Sequence, residues 1–302
     1  MKRFLWRLQA LFLQGVIWLL SWVPAAITPW AGRRLGQIFM LIAPKRVAIA
    51  EDNVTQVAGF ISGHPLWGGG AVDAKQIARG MFYHLGQSVV EIGQLYYGRA
   101  GYLVTAIELR GVEHYQQAKE KGAGVLLLTG HCGNWEVVGT AFSMLFKTGL
   151  SVVARKQNNP YLNDFIEQVR QRYNNTVIYK QNAVRGLLSV TRSAGIAVLL
   201  VDQALKPEEG GVLVPFLGRP AWTARTPVVV ARKTGVAVVP AFSFREGDHH
   251  VIEFHPELHF SQGDDEAALA ADVALYSQAL EAFVVAHPTN WFWLHKRWKD
   301  YC

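Results

Sequence analysis

The chain has 302 residues, half of them hydrophobic and only 18% charged, which excludes a disordered polypeptide and allows one or two domains. Its net charge of +7 equals the seven cations of residues 1–50, a stretch with no acid, so residues 51–302 are formally neutral. Cations that flank an apolar segment point to an anionic membrane surface rather than nucleic acid, whose binders spread their basic residues over a folded face.

Leu8 to Ile27 carries no charge over 20 residues. As one helix it would reach about 30 Å, enough to cross a bilayer. Gln9 and Gln14 interrupt the run, and Pro24 and Pro29 break its end, so a helix lying in the interface competes with a true span. Residues 1–30 are therefore expected to anchor the protein to a membrane, and basic residues on both flanks leave the orientation open. Gly36–Ala43 is too short to span. Residues 59–70 (GFISGHPLWGGG) read as a loop with a flexible glycine tip, and no GxGxxG or GxxxxGK[ST] phosphate cradle occurs.

From about residue 106, short apolar runs alternate with amphipathic stretches. Strands are expected at 125–129, 151–154, 196–202 and 236–242, with helices at 160–173, 183–194 and 221–234. An Ala-rich helix follows over 264–287, started by Ser261 or Asp264 and stopped at Pro288. This order predicts an α/β fold, a mostly parallel central sheet with helices on its faces, in a single domain after the anchor. The cysteines, Cys132 and Cys302, make no disulfide framework and no CxxC, as in a reduced, cytosol-facing protein.

The segment VLLLTGHCGNWEVVG (125–139) carries the chemistry. A buried strand ends at Thr129, Gly130 permits a turn, and His131 emerges at the strand's carboxyl end, where open α/β sheets bind ligands. Asn134 is placed to cap the helix that follows. With His131 on the turn and Glu136 in the first helical turn, the carboxylate would hold the imidazole in one tautomer. Such a pair suits a general base that takes a proton from a hydroxyl attacking a thioester, with N–H groups of the Gly130–Gly133 turn or the helix start meeting the oxyanion. A structural histidine fits the same spacing. Cys132 as nucleophile is disfavoured, because adjacent residues rarely converge on one centre. Arg155, after a strand, could grip a phosphate or carboxylate through two parallel bonds. Asp202 and Gln203 end another strand, as site residues or as a turn, and Arg219 and Arg225 follow in the next stretch, to meet a phosphate or to lie on the surface. The histidines at 249, 250, 255 and 259 fall in strand or loop, not on a metal-binding helix face.

TGHCGNWE resembles the HxGNWE form of the HxxxxD/E motif of the lipid A biosynthesis acyltransferases, the late lauroyl and myristoyl transferases. VVARKQNNPYLNDFIEQVR (152–170), VRGLLSVTRSAGIAVLLVDQ (184–203), VLVPFLGRPAWT (212–223), TGVAVVPAF (234–242) and WFWLHKRWK (291–299) resemble that family's later blocks in order. The resemblance implies an αβα sandwich over residues 31–302 and a catalytic pair of His131 and Glu136. It also implies substrate contacts by Arg155, Asn134, Asp202 and Gln203, an acyl-acyl carrier protein donor and a lipid A precursor as acceptor. The expected place is the cytoplasmic face of a bacterial inner membrane, with no metal or organic cofactor. Another acceptor (a lysophospholipid, an amino-acid lipid or another glycolipid), a thioesterase, or a non-catalytic lipid-binding protein remain alternatives.

Overall fold

The computed structural model describes residues 2–261, 263 and 265–298, so Asp264, Lys299 and Cys302 lie outside the described residues. The apolar run at 8–27 is not one helix. α1 (Lys2–Leu20) ends where the Ser21 hydroxyl donates to the Trp18 carbonyl at 2.6 Å. Beyond Pro24 the chain bends by 100° into α2 (Thr28–Ile42), which Pro29 opens with its preset φ. Pro24, near the end of the run, and Pro29, just beyond it, decided this against a straight span.

α3 (Pro44–Gly63) runs through the first part of the expected loop, to Gly63, and the glycine tip beyond it is tied by the Trp67 indole, which donates to the Gly70 carbonyl at 2.8 Å. α1, α2 and α3 all pack on α4 (Ala74–Tyr96). Between α2 and α4 the backbones nearly touch: a Cβ on Gly86 would lie 2.1 Å from the Gly32 carbonyl oxygen, so only glycine fits. α1 turns Ala10 inward and leaves Phe4, Leu8, Leu11, Phe12 and Leu19 exposed. An apolar face turned to water is the reverse of a soluble amphipathic helix and suits a lipid surface.

α5 (Gly101–Thr105), β1 (Glu108–Arg110) and α6 (Val112–Glu120) lead into β2 (Val125–Thr129), α7 (Trp135–Leu145), β3 (Leu150–Ala154), α8 (Pro160–Arg172), β4 (Thr176–Tyr179), α9 (Ala183–Arg192) and β5 (Ile196–Leu200). A hairpin of β6 (Gly211–Phe216) and β7 (Arg219–Ala224) precedes α10 (Thr226–Thr234), β8 (Ala237–Glu246), β9 (His249–Phe254) and α11 (Glu266–Ala286). The expected helix at 221–234 thus begins only at Thr226. Leu217 and Gly218, both at positive φ, turn the chain back before it.

The main sheet has the order β1-β9-β8-β2-β5-β3-β4, parallel throughout except where β8 meets β9. β2 is apolar on both faces, as a parallel central strand must be. Leu126 and Leu128 pack with α9, α10 and α11 on one face, and Val125 and Leu127 pack with α6 and α7 on the other. This is the αβα layering expected. α11 is the one described helix long and apolar enough by itself to cross a membrane, yet Val273, Tyr276, Leu280 and Phe283 bury it in the core. Asp265 caps it, accepting from the Ala268 N–H at 2.6 Å.

Candidate active site

β2, β5 and β3 are adjacent and parallel, so their carboxyl ends open on the same edge. Register then does the rest. Thr129 pairs with Leu200, which sets His131 and Asp202, each two residues further on, beside one another. Arg155 follows the end of β3 on the same edge, and Gln203 follows Asp202. The ends of these strands, with α9 and the start of α7, surround a cleft of about 820 Å³. His131, Trp135, Glu136 and Gln203 stand in its wall. Val152, Val153, Leu188, Leu199 and Leu205 make an apolar side, and Arg155, Arg170, Lys180 and Arg185 a cationic one.

The imidazole partner is Asp202, not Glu136. Asp202 Oδ1 lies 2.8 Å from His131 Nδ1, and Asp202 Oδ2 accepts from the His131 backbone N–H at 2.8 Å and from the Trp291 indole at 3.1 Å. Burial pushes the Asp202 carboxyl up, but the His131 charge and these donors outweigh it and hold the group at about 2. An ionised carboxylate only accepts, so Nδ1 carries the imidazole proton and Nε2 is left basic. Gln203 Nε2 is 3.4 Å from that Nε2. Burial lowers the His131 pKa, while the Asp202 charge, its hydrogen bond and the more distant Glu136 raise it by more, for a net shift above 6.5. Trp135 meets the ring edge-on at 5.0 Å between centroids and Phe292 lies at 6.0 Å, with 5.9 Å between those two rings, so an aromatic pair packs against the imidazole.

Glu136 lines the same cleft, but its Oε1 accepts from Arg170 Nη2 at 2.7 Å, and among the described residues no hydrogen bond joins it to His131. Sequence spacing missed this because the competing cation, Arg170, sits 34 residues away on α8. Asn134 does cap α7 at Val137, but it is buried and does not line the cleft. Its side-chain N–H donates at 2.8 Å to Glu91, a carboxylate clamped by both Arg245 nitrogens at 2.8 and 2.9 Å and by His250 at 3.0 Å. Burial raises the Glu91 carboxyl, and Arg245 and His250 overcome this and leave it well below the usual range. Asn134 therefore anchors the loop to α4 rather than meeting substrate. Arg155 is exposed in the cleft wall with no ion-pair partner among the described residues.

Three turn amides expected to meet an oxyanion are already committed: His131 N–H to Asp202, Cys132 N–H to the Gly130 carbonyl, and Gly133 N–H to the Asn290 carbonyl. Gly133 sits at φ +54°, where a Cβ would also strike the Ser243 carbonyl. Cys132 is fully buried, and burial first, then the Asp202 charge, push its thiol well above its ordinary pKa, so it is no nucleophile.

Known proteins resemble this chain over most of its length. The lipid A biosynthesis acyltransferase of Haemophilus influenzae is 24% identical over 73% of this chain and 68% of that protein. The lipid A biosynthesis palmitoleoyltransferase of Escherichia coli is 21% identical over 94% and 89%. A phosphatidylinositol mannoside acyltransferase of Mycobacterium tuberculosis is 26% identical over 62% and 58%. The crystal structure of a 1-acyl-sn-glycerophosphate acyltransferase from Thermotoga maritima aligns at a TM-score of 0.38 and 14% identity, over 83% of this chain and 97% of that one. Sheet, cleft and relatives together make the protein an acyltransferase. Residues 3–300 match the model of the bacterial lipid A biosynthesis acyltransferases, and the chain belongs to that family.

Proposed function

We propose that the protein transfers a fatty acyl chain from an acyl-acyl carrier protein thioester to a hydroxyl of a lipid A precursor, in a late acylation, with His131 as general base. The hydrogen bond from His131 Nδ1 to the buried Asp202 carries this reading, because it leaves Nε2 basic in a cleft with one apolar and one cationic side. Nε2 takes the proton of the acceptor hydroxyl as its oxygen attacks the thioester carbonyl. The tetrahedral intermediate collapses with cleavage of the carbon–sulfur bond, and the imidazolium returns the proton to the leaving thiolate. The oxyanion falls to the start of α7, whose first N–H groups lack intrahelical acceptors and carry the positive end of the helix dipole. Glu136 holds Arg170 in the cleft wall and adds its charge to the field on His131.

Residues 1–30 serve as the membrane-attached part and 31–302 as the acyltransferase domain, at the cytoplasmic face of the inner membrane. Supporting this is the apolar face of α1, linked to the site region by Asn159, which donates from the start of α8 to the Trp6 carbonyl at 2.8 Å. Because α1 packs on α4 and α8, point substitutions test attachment better than deletion. Leu8→Glu with Phe12→Glu, both on the exposed face, should move the protein from anionic vesicles to the supernatant with its melting temperature unchanged. Full retention on the vesicles would place the attachment elsewhere.

The acceptor is tested by mass spectrometry of lipid A from cells with and without the gene, paired with purified enzyme, acyl carrier protein thioester and lipid A precursor. One acyl chain fewer without the gene supports the proposal. Unchanged lipid A with an altered second glycolipid would favour another acceptor, as the name of the mycobacterial relative suggests. Free fatty acid released equally fast without any acceptor would make it a thioesterase.

Arg155 is assigned to a phosphate of the acceptor or of the carrier's prosthetic group. Arg155→Lys keeps the charge and loses the fork, so KM for one substrate should rise about tenfold. If Arg155→Lys and Arg155→Ala both leave kcat and both KM values within about twofold, Arg155 is a solvated residue at a strand end.

A further inference from the structure

The aromatic run at 291–293 holds none of the reacting groups named above, yet it threads behind the catalytic loop. The Phe292 N–H donates to the His131 carbonyl at 3.1 Å, and the Gly133 N–H donates to the Asn290 carbonyl at 2.8 Å. Between them Trp291, 2% exposed, points its indole N–H at Asp202. Among the described residues the indoles of Trp67, Trp293 and Trp298 donate to neutral backbone carbonyls, and Trp291 alone donates to a carboxylate.

That difference has a chemical meaning. Asp202 is 3% exposed, so its hydrogen bonding is met largely by the protein. Oδ1 faces the imidazole, so the plane and tilt of the carboxylate are set by what holds Oδ2: the His131 backbone N–H and the Trp291 indole. The first belongs to the same residue that must be oriented. The second comes from a distant segment, fixed by packing against Phe216 at 5.6 Å and Trp293 at 4.6 Å between ring centroids. We propose that Trp291 is a positioning residue of the acyl transfer, fixing the Asp202 carboxylate so that it holds His131 with Nε2 free. The inference rests on the assignment of His131 and Asp202 given above.

Trp293 provides a matched control. It lies in the same segment, is fully buried, and its indole donates to the Pro288 carbonyl at 2.7 Å, away from the site. Trp291→Phe and Trp293→Phe each remove one buried indole and its hydrogen bond. Trp291→Phe should lower kcat about tenfold or more, with KM for donor and acceptor within about twofold, because the loss is felt at the base and not at the binding walls. It should also move the acid limb of the kcat/KM profile to higher pH, since a carboxylate that has lost a donor holds the imidazolium more strongly. Trp293→Phe keeps an aromatic ring against Trp291 and both donors on Asp202 Oδ2, so it should leave kcat within about twofold and the limb in place, whatever it does to melting temperature. In an Asp202→Asn background, Trp291→Phe should cost almost nothing further, because the two act as one unit.

Equal kcat losses in the two tryptophan variants with no movement of the limb would overturn the proposal and make Trp291 a packing residue. Full activity in Asp202→Asn would instead sink the underlying assignment. Should Trp291→Phe fail to fold, the indole proton resonances of the otherwise intact enzyme decide. Asp202→Asn should shift one indole N–H upfield as it loses its charged acceptor, and an unchanged set of indole resonances overturns the proposal.

Discussion

Replacing His131 with alanine is expected to lower kcat by about 10²–10⁴-fold, the usual worth of a general base, while the protein remains folded. The imidazole is 22% exposed at the cleft wall, so its removal opens little core. What it removes is the basic nitrogen that Asp202 orients, and a neutral hydroxyl is then a poor nucleophile towards a thioester. The comparison that gives this result meaning is Cys132→Ala, which should keep near-normal turnover because that thiol is buried and held protonated. Equal losses in the two variants would bring back a covalent route through the thiol. More than half of normal turnover in purified His131→Ala would end the assignment.

Asp202→Asn should cost nearly as much, though it changes a single atom. Oδ2 accepts from both the His131 backbone N–H and the Trp291 indole, so an asparagine there must place its carbonyl oxygen in the Oδ2 position. Its NH₂ then faces Nδ1 and donates to it, which drives the imidazole proton to Nε2, the nitrogen that has to be the base. A loss of about 10²–10⁴-fold in kcat is expected, with KM values little changed. The pH profile carries the sign. In the native enzyme Asp202 lifts His131 above 6.5 against burial, and the base must be neutral, so activity falls as pH drops through that raised value. Without the carboxylate, burial remains, and the acid limb of any residual activity moves to lower pH. Glu136→Gln, which leaves Nδ1 and its partner untouched, should shift the limb less and cost less in rate. A reversed ranking of the two variants would return the orienting role to Glu136.

The parallel sheet was legible because buried strands such as 125–129 and 196–200 are continuous apolar runs, with no rival reading between glycines and amphipathic helices. β1 and β4 escaped notice for the opposite reason, being three and four residues long with no fully buried position. The hairpin was absorbed into a helix expectation because 221–224 is apolar enough to extend either element, and the deciding contact is cross-strand pairing with Gly211–Val214. At the site, a histidine at the end of a strand is a local pattern, and so was found. Its partner was not, because periodicity does not say which strands become neighbours, and only the pairing of β2 with β5 brings residue 202 beside residue 131. Glu91 and Arg245 are farther still from legibility: 154 residues separate them, and nothing around either one signals a buried ion pair.

The segment that ends in Trp293 also governs when the enzyme comes into being. Residues 2–254 already contain every described strand of the sheet, so a nascent chain can pair its strands before α11 arrives to complete the core. Yet the loop from His131 to Gly133 has open backbone groups until Asn290 and Phe292 arrive to satisfy them. Chain closure over that separation is slow relative to local helix formation. A prematurely terminated or half-made chain thus carries the histidine and the aspartate without a settled geometry between them. The geometry of the site therefore waits until residues 290–292 have been made and have folded back onto the loop.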